Sequence, residues 1–130
     1  MNNVPLNPQS IHEPLGLYSH AMKVEPNREW LVVAGQLGVD PAGNVAGGFR
    51  EQAEQALSNI LACLEANAMS KEDLVKLTIY STLPDCKNEV QAARRKILGE
   101  PVVPPSTLLI VAGLASPEFL VEIEAWAARA

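Results

Sequence analysis

The sequence predicts an α+β fold in which two helices cover one face of a single mixed sheet. Its 130 residues suffice for one domain, residues 1–130, with a substantial core. The content of 48% hydrophobic and 19% charged residues is too apolar for a disordered chain. Between the stretches with strand character lie two segments in which apolar residues recur every three or four positions, a spacing that is typical of helices. These observations give the order ββ-α-β-α-ββ.

The first two strands follow a segment that is rich in proline. Three prolines within residues 1–15 block regular structure, so we expect an extended N-terminal arm there. The stretches "LYSHAMKV" (17–24) and "EWLVVAGQLGV" (29–39) predict strands. Because the turn-like "EPNR" separates them, we expect these two strands to pair as a hairpin.

Two helices and three strands account for the remainder of the chain. A single apolar stripe predicts a helix from about Phe49 to Ala66. Asp85 is a candidate cap for a second helix, which ends near Gly99. The predicted strands are "LVKLTIYS" (74–81), "TLLIVAGL" (107–114) and "EFLVEIEAWAA" (118–128).

The face of the sheet that no helix covers is unusually apolar. Right-handed crossovers place both helices on the same face. Trp30 and Val32 nevertheless lie on one side of their strand while Leu31 and Val33 lie on the other, and "TLLIVAGL" is apolar on both sides. The chain has no third helix to cover the remaining face. We therefore expect a homo-oligomer that buries these faces together.

Charge and composition exclude several classes of partner and site. The net charge is −5 and the ten Lys and Arg residues are scattered, which disfavours nucleic acid as a partner. The N-terminus does not resemble a signal peptide, and no apolar run approaches about 18 residues. We expect a cytoplasmic protein without membrane contact. Cys63 and Cys86 lack metal-ligand or CxxC spacing, so we interpret them as packing thiols and expect no metal.

Five segments form a recognisable pattern when their order and spacing are taken together. They are "YSHA" (18–21), "AGQLGVDPAGNV" (34–45), "REQAEQALSNILACLEA" (50–66), "DLVKLTIYS" (73–81) and "VEIEAWAA" (121–128). In this pattern the chain resembles the RidA family, also called the YjgF or reactive-intermediate deaminase family, over about residues 15–130. The resemblance implies a chorismate-mutase-like α+β fold and a homotrimer with ligand clefts between adjacent subunits.

The resemblance also implies a chemistry. The best known members hydrolyse enamines and imines, such as 2-aminoacrylate, to keto acids and ammonia without a metal or organic cofactor. In them an arginine at the start of the penultimate strand clamps the substrate carboxylate through two parallel hydrogen bonds. Matching "VAGL" (111–114) to the family places Ser106 at that position. We therefore expect an atypical substrate preference, because hydroxyls donate only neutral hydrogen bonds.

The resemblance assigns further site residues, one position at a time. Glu122 matches the position associated with positioning or activating the hydrolytic water, and it is the catalytic candidate. Ala34 replaces a family serine, and Gln91 replaces a frequent asparagine. The expected substrate-binding residues are Tyr18, Ala34, Gly35, Gln36, Gln91, Ser106 and Thr107.

Simpler interpretations of the same residues remain open. Glu122 and Glu124 share a strand face roughly 7 Å apart, and both fit solvated charges as well as a general base. Ser106 fits a hydroxyl that bonds the backbone where its strand begins, and Gln36 fits a structural amide. Arg94 and Arg95 lie off the apolar stripe, where we expect a solvated helix face. Either arginine could instead reach the cleft and replace the missing clamp.

Two other functions compete with the deaminase. The chain could be a non-catalytic ligand-binding or protein-interaction trimer that kept the fold and lost the chemistry. A nuclease role, sometimes attached to the family, conflicts with the acidic charge balance.

Overall fold

Six strands and two α-helices are found in residues 3–130, the part of the chain that the computed structural model describes. A short 3₁₀ turn, Lys71–Asp73, precedes the fourth strand. The elements in chain order are β1 (Val4–Leu6), β2 (Ala21–Lys23), β3 (Glu29–Leu37), α1 (Phe49–Ala66), β4 (Leu74–Ser81), α2 (Lys87–Ile97), β5 (Ser106–Ile110) and β6 (Val121–Arg129).

The main sheet has four strands in the order β3-β6-β4-β5. Strand β6 runs antiparallel to both β3 and β4, whereas β4 and β5 are parallel. Each helix therefore connects two strands of the same direction, as predicted. Both helices contribute to the core on one face of this sheet, and the predicted α+β architecture is confirmed.

Alternation along β6 separates the core from the outer face of the sheet. Val121, Ile123 and Ala125 are fully buried and face the helices, while the intervening residues point outward. The apolar stripe of helix α1, which includes Leu57 and Ile60, forms the other side of this core. Packing of this kind fixes the register of β6, because a slip of one residue would send its buried set outward.

The predicted hairpin between residues 17–24 and 29–39 is wrong. Strand β2 pairs with β1 in a separate two-stranded ribbon, in which Val4 lies opposite Lys23. The backbone N–H of Ser19 instead donates to the carbonyl of Val103, far away in sequence. The N-terminal arm is thus not wholly irregular. Pro5 is tolerated in β1 because a strand of a two-stranded ribbon has a free edge.

Two element boundaries also differ from the prediction. Strand β5 ends at Ile110 because its neighbour β4 ends at Ser81, directly opposite, so "VAGL" has no strand to pair with. Helix α2 begins at Lys87, and its N-cap residue is Cys86 rather than Asp85. The end of α2 agrees with the prediction, since Gly99 follows it with a φ of 84° that favours glycine.

The outer face of the sheet carries exposed apolar side chains, as the sequence indicated. Val32 is 59% exposed, and the rings of Trp30 and Trp126 meet edge to face with centroids 6.1 Å apart. These residues form an apolar surface at the β3–β6 side of the face. No helix among residues 3–130 is long and apolar enough to cross a membrane.

Candidate functional site

A cleft of about 340 Å³ lies between α2, the start of β5 and the loop of residues 15–18; we call it the α2 cleft. Its apolar wall includes Ile79, Val90 and Leu108. The polar residues that line it come from all three elements. They are Tyr18, Lys87, Gln91, Arg94, Ser106 and Thr107.

Ser106 is the first residue of β5, directly after two prolines. Its Oγ donates a hydrogen bond to the carbonyl oxygen of Pro104 at 3.0 Å. The same Oγ accepts a hydrogen bond from Nη1 of Arg94, also at 3.0 Å. Because its single proton is already engaged by the backbone, the Ser106 hydroxyl has no donor left for a ligand in this arrangement.

Arg94 does not lie on a solvated helix face, so that expectation is wrong. The residue is only 5% exposed, and it reaches from α2 to Ser106. Burial lowers its pKa to about 10, which leaves the guanidinium charged at neutral pH. Its Nε and Nη2 are buried and have no hydrogen-bond partner among the described residues. Arg95, by contrast, is about half exposed and pairs with Glu100.

One feature of the sequence indicates that Arg94 is buried, although Arg94 is not part of the apolar stripe predicted for α2. Val90 belongs to the buried stripe of α2, and Arg94 follows it by four residues. Side chains at that spacing lie on the same face of a helix. Arg94 therefore borders the buried face, whereas Arg95 is turned about 100° further round the helix.

The loop of residues 15–18 closes the α2 cleft from one side. The backbone N–H of Leu15 donates to the Tyr18 hydroxyl at 3.0 Å, and Lys87 Nζ donates to the Leu15 carbonyl at 2.7 Å. A Cβ atom at Gly16 would lie 2.8 Å from Nε2 of Gln91, so the absence of a side chain lets the loop approach the helix closely.

Thr107 borders the cleft, but its hydroxyl is engaged elsewhere. Lys76 Nζ donates a hydrogen bond to Thr107 Oγ1 at 2.7 Å. Leu77 is buried against the helices, so its neighbour Lys76 extends from the outer face of β4. The hydroxyl of Thr107 is therefore held on the outer side of the sheet.

Four other predicted site residues form a second group, the β3–β6 patch, defined by Ala34, Gly35, Gln36 and Glu122. The register of β3 against β6 shifts between Val33 and Gln36, which marks a β-bulge. A Cβ atom at Gly35 would overlap the carboxylate of Glu122, so this side chain occupies the space that glycine leaves. Gln36 Nε2 donates to the carbonyl of Ala34 at 3.0 Å, which is the structural amide considered above.

Glu122 and Glu124 share the outer face of β6, as predicted, but their surroundings differ. Tyr80 donates its phenolic proton to Glu124 Oε1 at 2.8 Å. This hydrogen bond is the main cause that raises the pKa of Tyr80. Glu122 lies opposite Tyr80 in the strand register and packs over Gly35.

The eight predicted site residues thus fall into two groups on a single chain. Tyr18, Gln91, Ser106 and Thr107 line the α2 cleft. The residues of the β3–β6 patch, with the carboxylate of Glu122, do not line it, and the Glu122 carboxylate extends from the opposite face of the sheet. Among residues 3–130 no group of three or more His, Cys, Asp or Glu side chains could hold a metal ion.

Curated relatives match this chain over different lengths. A RutC family protein from Pyrococcus horikoshii is 35% identical over 120 residues, 87% of each chain. A RutC family protein from Aquifex aeolicus is 40% identical over 70 residues, which cover 53% of this chain and 54% of that protein. A protein named 2-iminobutanoate/2-iminopropanoate deaminase from Dermatophagoides farinae is 35% identical over 80 residues, 60% of this chain and 57% of that one.

Solved structures share the fold over nearly the whole chain. A Rid-family protein of unknown function from Yersinia pestis superposes with a TM-score of 0.88 at 28% identity, covering 99% of this chain and 100% of that one. RidA from an Antarctic Psychrobacter gives a TM-score of 0.72 at 33% identity, with 90% and 92% covered. Residues 9–129 match the family model described as Endoribonuclease L-PSP. The resemblance stated from the sequence is confirmed, and the chain belongs to the Rid, or YjgF, family.

Proposed function

We propose that this chain forms a homotrimer whose inter-subunit clefts hydrolyse enamines or imines to a carbonyl compound and ammonia. Its substrate preference differs from that of arginine-bearing relatives because Ser106 stands at the clamp position. The separation of the two groups of site residues carries the proposal. The α2 cleft has a ligand-sized volume, but none of the described residues that line it has a carboxylate, and the carboxylate of Glu122 lies on the other face of the sheet. The deaminase name of the relative from Dermatophagoides farinae supports the reaction class.

A second copy of the chain can complete the cleft. The outer face exposes Trp30, Val32 and Trp126, and a neighbour packed there would remove this apolar surface from water. Such packing also places the β3–β6 patch within a subunit interface. A cleft that combines the α2 side of one subunit with the Glu122 side of the next then contains both a ligand wall and a proton acceptor.

The chemistry requires a base and a water molecule. Glu122 accepts a proton from water as the water oxygen bonds to the imine carbon and the C=N π bond opens, and the protonated Glu122 passes this proton to the nitrogen. In the resulting carbinolamine, Glu122 accepts the hydroxyl proton as the carbonyl forms and the C–N bond breaks. The departing nitrogen takes this proton and leaves as ammonia, so Glu122 returns to its ionised form. An enamine enters the same sequence after a proton has been added to its carbon.

Ser106 alters what the site offers to a substrate carboxylate. At this position an arginine would supply two charged donors, whereas the Ser106 proton is bonded to the Pro104 carbonyl. Hydrogen bonds to charged groups each contribute about 1.5–3 kcal/mol. We therefore expect slower hydrolysis of 2-aminoacrylate than by a relative that carries the clamp arginine.

Imines produced during the assay provide the test. An amino-acid oxidase generates imines from a panel of amino acids, and formation of the free carbonyl compound is followed with and without the protein. We expect acceleration by the wild type and a loss of about 100-fold or more in Glu122→Gln, the usual size of a general-base contribution. Glu124→Gln is the matched control, because it removes a carboxylate from the same face of β6.

A specific observation favours one competing function. The Ser106 hydroxyl is engaged within its own chain, which is compatible with a fold that has lost its chemistry and only binds a ligand or a protein. If no imine in the panel reacts faster with the protein than in buffer, this non-catalytic function replaces the deaminase.

The nuclease suggested by the family description has less support. Arg50, Arg95 and Lys96 each pair with a glutamate. These pairs remove three of the ten Lys and Arg charges from any basic surface for a phosphate backbone.

A further inference from the structure

The α2 cleft contains a buried cation, Arg94, that has no counter-ion among the described residues. Arg94 is 95% buried, and its one hydrogen bond within the described chain goes to the neutral Ser106 hydroxyl. None of the ion pairs within residues 3–130 includes it. Buried charges are normally paired, because removing an ion from water without a partner is strongly unfavourable. An anionic ligand in this cleft would give the guanidinium of Arg94 a counter-ion.

The two unsatisfied nitrogens of Arg94 form one edge of its guanidinium. Nε and Nη2 are buried without a partner, whereas Nη1 is the atom that donates to Ser106. The Nε–Nη2 edge presents two nearly parallel N–H groups, which match the two oxygens of a carboxylate. Ser106, which donates to the Pro104 carbonyl, holds Nη1 and so orients the plane of the guanidinium.

The rest of the cleft favours an anion as well. Lys87 adds a second positive charge to the lining, and Gln91 adds an amide. No Asp or Glu is among the described residues that line the cleft, although the whole chain has 15 acidic residues and a net charge of −5. A cleft whose charged lining residues, Lys87 and Arg94, are both cationic attracts an anion even in an acidic protein.

We propose that Arg94 binds the carboxylate of the ligand in the α2 cleft, so that anion recognition comes from helix α2 instead of from the start of β5. The class of ligand is a small organic carboxylate. The reacting imine group rests on the proposed function, whereas the anion site itself does not. The pKa of Arg94, about 10, keeps this group cationic across the physiological range.

Binding of a stable ketone and its uncharged analogue tests the proposal. The probes are 2-oxobutanoate and 2-oxobutanamide, each titrated calorimetrically into the wild type and into Arg94→Gln, Arg94→Lys and Arg95→Gln. We expect the wild type to prefer the acid, and Arg94→Gln to bind the acid about tenfold or more weakly, as loss of a charged hydrogen bond predicts. Arg94→Lys should recover only part of this affinity, since lysine cannot donate two parallel bonds. Arg95→Gln is the matched control and should bind like the wild type.

Three outcomes would overturn the proposal. They are equal affinity of the wild type for the acid and the amide, unchanged acid affinity in Arg94→Gln, and no saturable acid binding by the wild type. If Arg94→Gln does not fold, the Nε–H resonance of Arg94 in ¹⁵N-labelled wild type decides the question. It should shift when 2-oxobutanoate is added but not when the amide is added, and an unmoved resonance would refute the assignment.

Parallel imine assays keep this inference separate from the proposed function. If acid binding depends on Arg94 but the wild type hydrolyses no imine, the anion site stands and the deaminase fails. If the wild type hydrolyses imines while acid binding ignores Arg94, the deaminase stands and the anion site fails.

Discussion

Replacing Arg94 with methionine is expected to stabilise the ligand-free protein. The substitution keeps a long unbranched side chain in the buried position but removes the two unsatisfied nitrogens, Nε and Nη2. Each unsatisfied buried donor lowers the free energy of unfolding by about 1–3 kcal/mol, so removing two such donors stabilises the protein. The substitution also removes the hydrogen bond from Arg94 to Ser106, and this loss lowers the free energy of unfolding by about 1.5–3 kcal/mol. Ser106 itself keeps a partner in the Pro104 carbonyl. The net expectation is a free energy of unfolding that rises by about 1–3 kcal/mol, within the range found when buried ions are replaced by apolar residues.

Urea unfolding followed by circular dichroism measures this change. Wild type, Arg94→Met and Arg95→Met are compared at the same protomer concentration, because association shifts apparent stability. We expect a higher midpoint with an unchanged m value for Arg94→Met, and little change for Arg95→Met because Arg95 is about half exposed. A loss of 1 kcal/mol or more in Arg94→Met would refute the reasoning, since it would show that the guanidinium already has its partner in the free protein.

Three further predictions concern the outer face of the sheet. Gly35→Ala should displace the Glu122 carboxylate and lower imine hydrolysis toward the level of Glu122→Gln, with an unchanged circular dichroism spectrum; full activity would contradict the role given to Gly35. In an absorbance titration Tyr80 should ionise above its ordinary pKa, and Glu124→Gln should lower that pKa because it removes the carboxylate that accepts the phenolic proton. The stability that the Tyr80–Glu124 hydrogen bond contributes is present below about pH 10 and is lost as pH rises through the raised pKa. Trp30→Lys should dissociate the proposed trimer in light scattering, because a charge on this apolar face opposes its burial, and an intact trimer would place the interface elsewhere.

The fold could be predicted because its strongest signals are local. Apolar spacing fixes α1, and alternation fixes β4 and the inward set of β6. The pairing of β2 is not a local property: its partner β1 lies in a proline-rich segment that gave no strand signal. The end of β5 likewise depends on where β4 ends, and the apolar sequence of β5 does not encode that position.

The candidate site could be predicted only in part. Positions such as Ser106 and Glu122 came from the family resemblance, and the structure places them on opposite sides of one sheet. Arg94 lies off the apolar stripe of α2, which predicts a solvated side chain because charged residues are rarely buried. Its spacing of four residues from Val90 places it beside the buried face, but the degree of its burial depends on the contact between α2 and the start of β5, which is a tertiary feature.

Mixing two variants that are each impaired in imine hydrolysis tests most directly whether the site combines two subunits. Arg94→Gln lacks the anion-binding side of the cleft, and Glu122→Gln lacks the proton acceptor. If the variants are denatured together and refolded as mixed trimers, about one cleft in four combines two intact sides, so imine hydrolysis should recover to roughly a quarter of the wild-type rate. Mixed trimers that are no more active than the average of the two variants alone would contradict a cleft shared between subunits.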